Sequence, residues 1–168
     1  MRKARGDLSQ SRLKEILSYD PDTGEFVRLV DVRRARAGDK CRRLSSAGYY
    51  QIGVDGWAYL AHRLAWLYMT GEWPAGLVDH IDGDRINNRW CNLRPATVTQ
   101  NGANSRLNKN NTSGFKGVSR VPGNKPWKAQ IRDYGKVVVL GYFDDPAVAH
   151  EVYIAAATRI HGEYARRA

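Results

Sequence analysis

Residues 50–60 read YQIGVDGWAYL, two alternating runs on either side of Asp55-Gly56. An Asp-Gly pair accepts the positive φ values that a two-residue turn needs if its twist is to match the flanking strands. The stretch therefore predicts a tight antiparallel hairpin. Around it the hydrophobic period keeps switching, so the chain is committed to short elements. Residues 8–18 (LSQSRLKEILS) place Leu8, Arg12, Leu13, Ile16 and Leu17 at helical spacing, with Asp7 as a possible N-cap. Pro21, Asp22 and Gly24 then supply turn chemistry before a short strand over 26–30, and residues 31–40 (DVRRARAGDK) read as a loop or exposed hairpin.

Residues 62–69 (HRLAWLYM) predict a buried helix that stops at Gly71, with Pro74 just beyond. Strands over 77–81 and 93–96 flank a polar loop containing Gly83. Thr97 and Gln100 have capping-box spacing and open a helix through Asn104. The asparagine-rich run 105–114 (SRLNKNNTSG) reads as a linker. After it come three strands (115–121, 127–133, 137–143) and an amphipathic helix (146–160), with Asp144 or Asp145 as cap, Pro146 in the first turn and Gly162 at the far end. The fold class is α+β and modular: a helical and β-rich region over 1–60, a core over 61–104, a linker over 105–114, and a sheet-plus-helix module over 115–168.

Composition narrows the function. The 168 residues carry 27 basic and 17 acidic side chains, a net charge of +10, with residues 76–105 neutral between two basic flanks. Surplus cations attract polyanions and release condensed counterions on binding, so the flanks suit nucleic acid and the middle suits chemistry. No run of eighteen apolar residues exists, which excludes a membrane span, and MRKARGDLSQ has no apolar stretch behind it to make a secretory signal. Cys41 and Cys91 stand fifty positions apart. They cannot form a four-cysteine zinc site and make a poor disulfide framework, so a reduced, cytoplasmic protein is expected.

The neutral middle reads Val78-Asp79-His80-Ile81-Asp82-Gly83-Asp84, then Asn87-Asn88-Arg89-Trp90-Cys91-Asn92-Leu93-Arg94, then Gln100-Asn101. Asp-His at a strand end sets a hard oxygen ligand beside a base. Adjacent strand side chains point to opposite faces, so the pair serves one site only if the backbone turns there, which Gly83 allows. A strand–loop–strand–helix unit would carry Asn101 back over Asp79. The bland reading makes Asp79, Asp82 and Asp84 a solvated acidic loop and His80 a surface histidine. A calcium loop is rejected because no glutamate stands at the twelfth position. His62, His150 and His161 lack acidic partners at ligand spacing and are expected to be structural.

Residues 61–104 resemble the HNH endonuclease family in its phage and homing branch, through His62-Arg63-Leu64, Asp79-His80, Asn92 and Asn101, and the resemblance implies a ββα-metal nuclease core. The resemblance implies His80 as general base for water attacking a DNA phosphorus. It implies Asp79 and Asn101 as ligands of one divalent ion, Mg²⁺ or Mn²⁺, and Asn92 as the residue that pins the loop and orients His80. The products would be a 5′-phosphate and a 3′-hydroxyl, in a bacterial or phage-infected cell. Asn101 stands where the family name calls for histidine; its amide oxygen still suits a hard cation.

Residues 113–161 resemble the AP2 DNA-binding domain through Ser113–Val118, Trp127–Arg132, Leu140–Phe143 and Ala147–Ala157 followed by His161-Gly162. Period-two alternation separates Trp127, Ala129 and Ile131, packed under the helix, from Lys128, Gln130 and Arg132, which would face the major groove. Lys116, Arg120 and Lys136 are expected to add contacts. The AP2 pattern has arginine at the places of Ser119 and Val137 and tryptophan at that of Val139, so its target preference does not carry over. A second basic cluster, Arg33, Arg34, Arg36, Lys40, Arg42 and Arg43, could track phosphates. The expected partner is double-stranded DNA bound by a monomer, with no membrane and no small-molecule cofactor. The alternative reading is a non-catalytic DNA-binding regulator with a vestigial HNH core, which predicts salt-sensitive binding and no turnover.

Overall fold

A computed structural model of the chain describes residues 8–108, 110–133 and 135–166. They form two compact units, divided between Pro95 and Ala96. Asp7, expected as the first helix cap, lies outside the described residues. Among the described residues no helix is long and apolar enough to cross a membrane.

The first unit opens with helix α1 (Gln10–Ile16), capped by Ser9, whose side chain accepts from the Arg12 N–H. The helix is shorter than the spacing of residues 8–18 suggests. Leu17 already belongs to strand β1 (Leu17–Asp20), which pairs antiparallel with β2 (Glu25–Arg28). Leu17 and Tyr19 fit both periods; the tight turn that Asp20 anchors through the Asp22 N–H and the Thr23 hydroxyl favours the hairpin. Strands β3 (Gln51–Val54) and β4 (Trp57–Leu60) then form the expected hairpin, with φ of +49° at Asp55 and +85° at Gly56.

Helix α2 (Ala61–Thr70) follows at once and ends in left-handed Gly71, as its sequence predicts. Strand β5 (Leu77–His80) and strand β6 (Leu93–Ala96) form the last ribbon, joined by the polar loop and a single 3₁₀ turn at 90–92. Leu13, Ile16 and Leu17 pack with Phe26, Ile52, Val54, Leu64, Leu67, Val78 and Leu93 into one apolar core. The unit is thus three two-stranded ribbons folded around α1 and α2, and no ribbon buries its apolar side without the others.

The second unit begins with helix α3 (Val98–Ala103), which has both bonds of the Thr97/Gln100 capping box, and residues 105–108 and 110–117 form no helix or strand. Its sheet has the order β7 (Val118–Arg120), β8 (Trp127–Asp133), β9 (Lys136–Phe143), all antiparallel, with helix α4 (Pro146–His161) packed across one face. Strand β7 starts later than residue 115. Gly117 is turned to φ +75°, and a Cβ there would stand 2.0 Å from the Tyr153 ring, so the backbone passes too close to α4 to stay extended. Asp145 caps α4 through the Ala147 N–H and Pro146 opens it.

Candidate functional site

Strand β5 delivers Asp79 and His80 side by side, and both are buried. Alternation along the strand gives them different partners. His80 lies with Val78 on the side packed by α2, where its ring meets His62 edge-on at 4.9 Å between centroids. Asp79 lies on the other side, where Arg94 of β6 donates to its Oδ2 through Nε and Nη2, each at 3.0 Å. The turn after β5 follows directly behind the pair, closed by the Gly83 N–H on the His80 carbonyl at 2.8 Å.

The loop between β5 and β6 is held from inside by Asn92. Its Oδ1 accepts from the Asp82 N–H at 3.0 Å, and its Nδ2 donates to Asp82 Oδ1 at 3.0 Å and to the Asn87 carbonyl at 2.8 Å. The Asn92 carbonyl also accepts from the Ile81 N–H. Asp82 is further fastened by the Asp84 N–H and the Asn87 amide. Partial burial works against its charged form, yet these donors hold its carboxyl below the usual carboxylate range.

The His80 imidazole is clasped by Asn88, with Nε2 and Asn88 Oδ1 3.1 Å apart. Burial pushes His80 below the ordinary imidazole range, opposed by the Asn88 bond and the charges of Asp82, Asp79 and Asp84. His62 is driven further, down to about 3, by burial and by the neighbouring His80 and Arg63. Its Nδ1 is buried with no hydrogen-bond partner among the described residues. The Tyr49 ring lies 5.1 Å from His62 and 6.0 Å from His80, and Arg85 sits over its outer face. Both imidazoles therefore stand neutral in an aromatic setting near pH 7, as a base must if it is to accept a proton.

The N-terminal hairpin braces this loop. The Tyr19 hydroxyl donates to the Asn88 carbonyl at 2.6 Å, and the Trp90 N–H donates to the Pro21 carbonyl at 2.9 Å. Gly24, at φ +74°, lies so close that a Cβ would fall 2.4 Å from the backbone of Asn88 and Arg89. Tyr19, Gly24, His62, Asn88 and Arg94 thus join a neighbourhood that the motif alone assigns to Asp79, His80 and Asn92. The sequence signals for them are His62-Arg63-Leu64 within the resemblance and the Asn87-Asn88 and Leu93-Arg94 runs beside the motif; Gly24 reads only as a turn residue, and nothing flags Tyr19.

Asn101 is exposed, on α3 in the second unit. Among the described residues no group of three or more histidine, cysteine, aspartate or glutamate side chains could hold a metal. The donor chemistry that remains, a carboxylate and an amide, is hard oxygen, which suits Mg²⁺ and leaves most of its shell to water and phosphate.

The basic residues sort by face. On β8, Lys128, Gln130 and Arg132 alternate away from buried Ala129 and Ile131 and stand opposite Tyr142, Val139 and Val137 of β9, with Ser119 beyond Lys128. A bulge at Leu140 keeps Tyr142, Val139 and Val137 on that same exposed side. Arg120 and Lys136, both exposed, are paired in register with Trp127 and Asp133 and so stand outside the Lys128–Gln130–Arg132 row. Lys116 also stands apart from that row. Its ammonium is turned toward the carbonyls of Ala103 and Ser105, and burial, with Arg166 nearby, lowers it to about 8. In the N-terminal cluster Arg36 pairs with Asp31, while Lys40 and Arg42 both pair with Glu25. Arg33, Arg34 and Arg43 are exposed and have no ion-pair partner among the described residues.

Comparison with known proteins bears on the same segment. Residues 59–103 match the family model described as HNH endonuclease. The chain is 33% identical over 106 residues to Protein 3.8 of Escherichia phage T7, an alignment covering 62% of this chain and 87% of that one. It is 31% identical over 118 residues to a protein of Acanthamoeba polyphaga mimivirus named as the uncharacterized HNH endonuclease L560, covering 69% of this chain and 60% of the mimiviral one. No solved structure matches the chain. With an HNH endonuclease domain over residues 59–103, the chain belongs to the same family as protein 3.8 of phage T7.

Proposed function

We propose that the protein is a metal-dependent DNA endonuclease of the homing type, hydrolysing phosphodiester bonds to leave a 5′-phosphate and a 3′-hydroxyl. The observation that carries this reading is the buried His80 at the end of β5, ahead of a loop that Asn92 ties at residues 81–82 and 87, inside the segment matched to HNH endonucleases. His80 takes the proton of the attacking water, a task suited to an imidazole held uncharged near pH 7. Asn92 fixes the loop and so the aim of the ring. Asp79 and Asn101 would hold one Mg²⁺ or Mn²⁺, which supplies charge stabilisation to the phosphate and the departing 3′-oxygen when bound.

Duplex DNA is the substrate class that an endonuclease domain within a chain of net charge +10 calls for. The second unit grips it as an AP2-like module through Lys128, Gln130 and Arg132, where Gln suits adenine and Arg suits guanine. Arg33, Arg34 and Arg43 hold phosphates, joined by Arg36 and Arg42 where DNA displaces their carboxylate partners. The protein works in the cytoplasm of an infected or bacterial cell. One observation favours the alternative of a DNA-binding regulator with a vestigial core: Arg94 neutralises the carboxylate proposed to hold the ion.

Relaxation of supercoiled plasmid separates the two. Nicking or linearisation with Mg²⁺ or Mn²⁺, stopped by chelation and by His80→Ala while DNA binding persists, supports the nuclease. Salt-sensitive binding with no cleavage under any divalent ion supports the regulator. Cleavage retained by His80→Ala removes the proposed base.

A further inference from the structure

We infer that Asn88 is a positioning residue for His80: its side-chain amide holds the imidazole as the tautomer with the proton on Nε2 and the lone pair on Nδ1. It thereby selects the nitrogen that receives the proton of the attacking water. The functional half of this inference rests on His80 being the general base; the tautomer itself does not.

The argument is one of donors and acceptors. Asn88 Nδ2 lies 3.2 Å from the Ile86 carbonyl, and a carbonyl only accepts, so the amide nitrogen must face Ile86. That leaves Oδ1 facing His80 Nε2 at 3.1 Å. An amide oxygen cannot donate, so in the neutral ring the proton of this bond sits on Nε2. The lone pair is then on Nδ1.

The geometry is held rigidly enough to matter. Asn88 is 1% exposed and His80 is 4% exposed, so water does not readily replace the bond, and an unmet Nε2–H would be costly. The Asn88 backbone is fixed from a distant part of the chain by the Tyr19 hydroxyl on its carbonyl. The tight packing of Gly24 against the 88–89 peptide fixes it from the same hairpin. His62, edge-on to the ring, closes the face that packs on α2. Orientation and tautomer are thus set by a partner that need not touch substrate, in the way that outer partners fix the ring nitrogens of ligating histidines.

The test uses the full chain labelled with ¹⁵N-histidine. His80 is assigned by difference from His80→Ala, and long-range ¹H–¹⁵N correlation at pH 7.5 reads its two nitrogens. The expected result is a protonated, pyrrole-type Nε2 and a pyridine-type Nδ1 in the unmodified protein. A proton on Nδ1, or rapid averaging between the two forms, overturns the inference whatever the variants do. In Asn88→Leu, checked for native circular dichroism, the tautomer signature is lost and kcat falls about 10–100-fold with KM for DNA unchanged. Asn88→Asp retains an acceptor opposite Nε2 and recovers both the signature and most of the rate. A folded Asn88→Leu with unaltered nitrogens and unaltered kcat also overturns it. If the unmodified protein shows the Nε2–H form but cleaves nothing, Asn88's hold on the tautomer stands, and the nuclease reading falls together with the functional half that rests on it.

Discussion

His62 should make the first unit sensitive to acid, and the size of the effect follows from its environment. In the unfolded chain its imidazole takes a proton near pH 6.5; in the folded protein burial delays this to about 3. The folded-state value is depressed, so between those limits the unfolded chain binds one more proton than the native one. Stability is then lost as pH falls from about 6.5, by ~1.4 kcal/mol per pH unit. At pH 7.5 the group contributes no penalty, and at pH 5 it costs about 2 kcal/mol, a large part of the ~5–15 kcal/mol that holds a domain together. The reason is local: the protonated ring would place a second N–H at Nδ1, which is buried and meets no acceptor among the described residues.

The measurement is urea unfolding of the unmodified protein and of His62→Phe at pH 7.5, 6 and 5, followed by tryptophan fluorescence. Four of the five tryptophans, Trp57, Trp66, Trp73 and Trp90, lie in the first unit, so the signal reports its unfolding. Phenylalanine keeps an aromatic ring against His80 and has a packing cost that does not vary with pH. The stability difference between the two proteins should therefore shift by about 2 kcal/mol in favour of the variant between pH 7.5 and 5. Parallel pH dependences would refute the burial argument, because they would mean that the folded protein protonates His62 as readily as the unfolded chain does.

Three further outcomes are expected. Arg94→Met strands the buried Asp79 carboxylate and should cost about 3–5 kcal/mol, whereas adding Asp79→Asn should recover much of that loss; strictly additive losses in the double-mutant cycle would show that the pair is not coupled. Gly24→Ala should lower stability by about 2–4 kcal/mol, from a positive φ and a Cβ driven into the Asn88–Arg89 backbone, and reduce cleavage with it; an unchanged unfolding midpoint would mean that the hairpin does not bear on the loop. Replacing Arg33, Arg34 and Arg43 together by serine should flatten the dependence of log binding constant on log salt by roughly 2–3, since each phosphate left unneutralised removes about 0.9 from the slope, and an unaltered slope would take these arginines off the DNA.

What the sequence made legible was whatever a local rule enforces. Asp55-Gly56 closed its hairpin, Gly71 ended α2, Thr97 and Gln100 formed the capping box, and Asp145-Pro146 opened α4 within a residue of the expected place. Where two periods fitted the same residues the reading failed: Leu17 and Tyr19 extend a helical stripe and equally alternate as a strand, and their pairing with Arg28 and Phe26 decides between the two. The candidate site was legible only as residue types in order, with Asp79 and His80 at the end of β5 and Asn92 in the turn before β6. Its supports were not. Arg94 facing Asp79 and Asn88 facing His80 meet their partners from well along the chain, and no spacing rule distinguishes them from the neighbouring Arg89 and Asn87. The surroundings of Lys116 were hidden for the same reason: charge in a sequence marks a cation, and only the structure shows its ammonium on the carbonyls of Ala103 and Ser105.

These supports bear on how much of the chain the site requires. The segment matched to HNH endonucleases starts at residue 59, yet the core beneath it is shared with residues that precede it: Leu13, Ile16, Leu17, Phe26, Ile52 and Val54 pack with Leu64, Leu67, Val78 and Leu93. Removing residues 1–58 would expose the apolar side of α2 and of the β5–β6 ribbon. A two-stranded ribbon with one short helix buries too little to stay folded alone. It would also delete Tyr19 and Gly24, and with them the outer brace of the Asn88 loop. A fragment spanning 59–168 should therefore show a folded second unit, with tryptophan emission from the first-unit positions shifted to that of exposed indole, and no cleavage. A fragment that cleaves DNA at the rate of the whole chain would mean that the brace and the shared core are dispensable, and that the motif by itself is enough to aim His80.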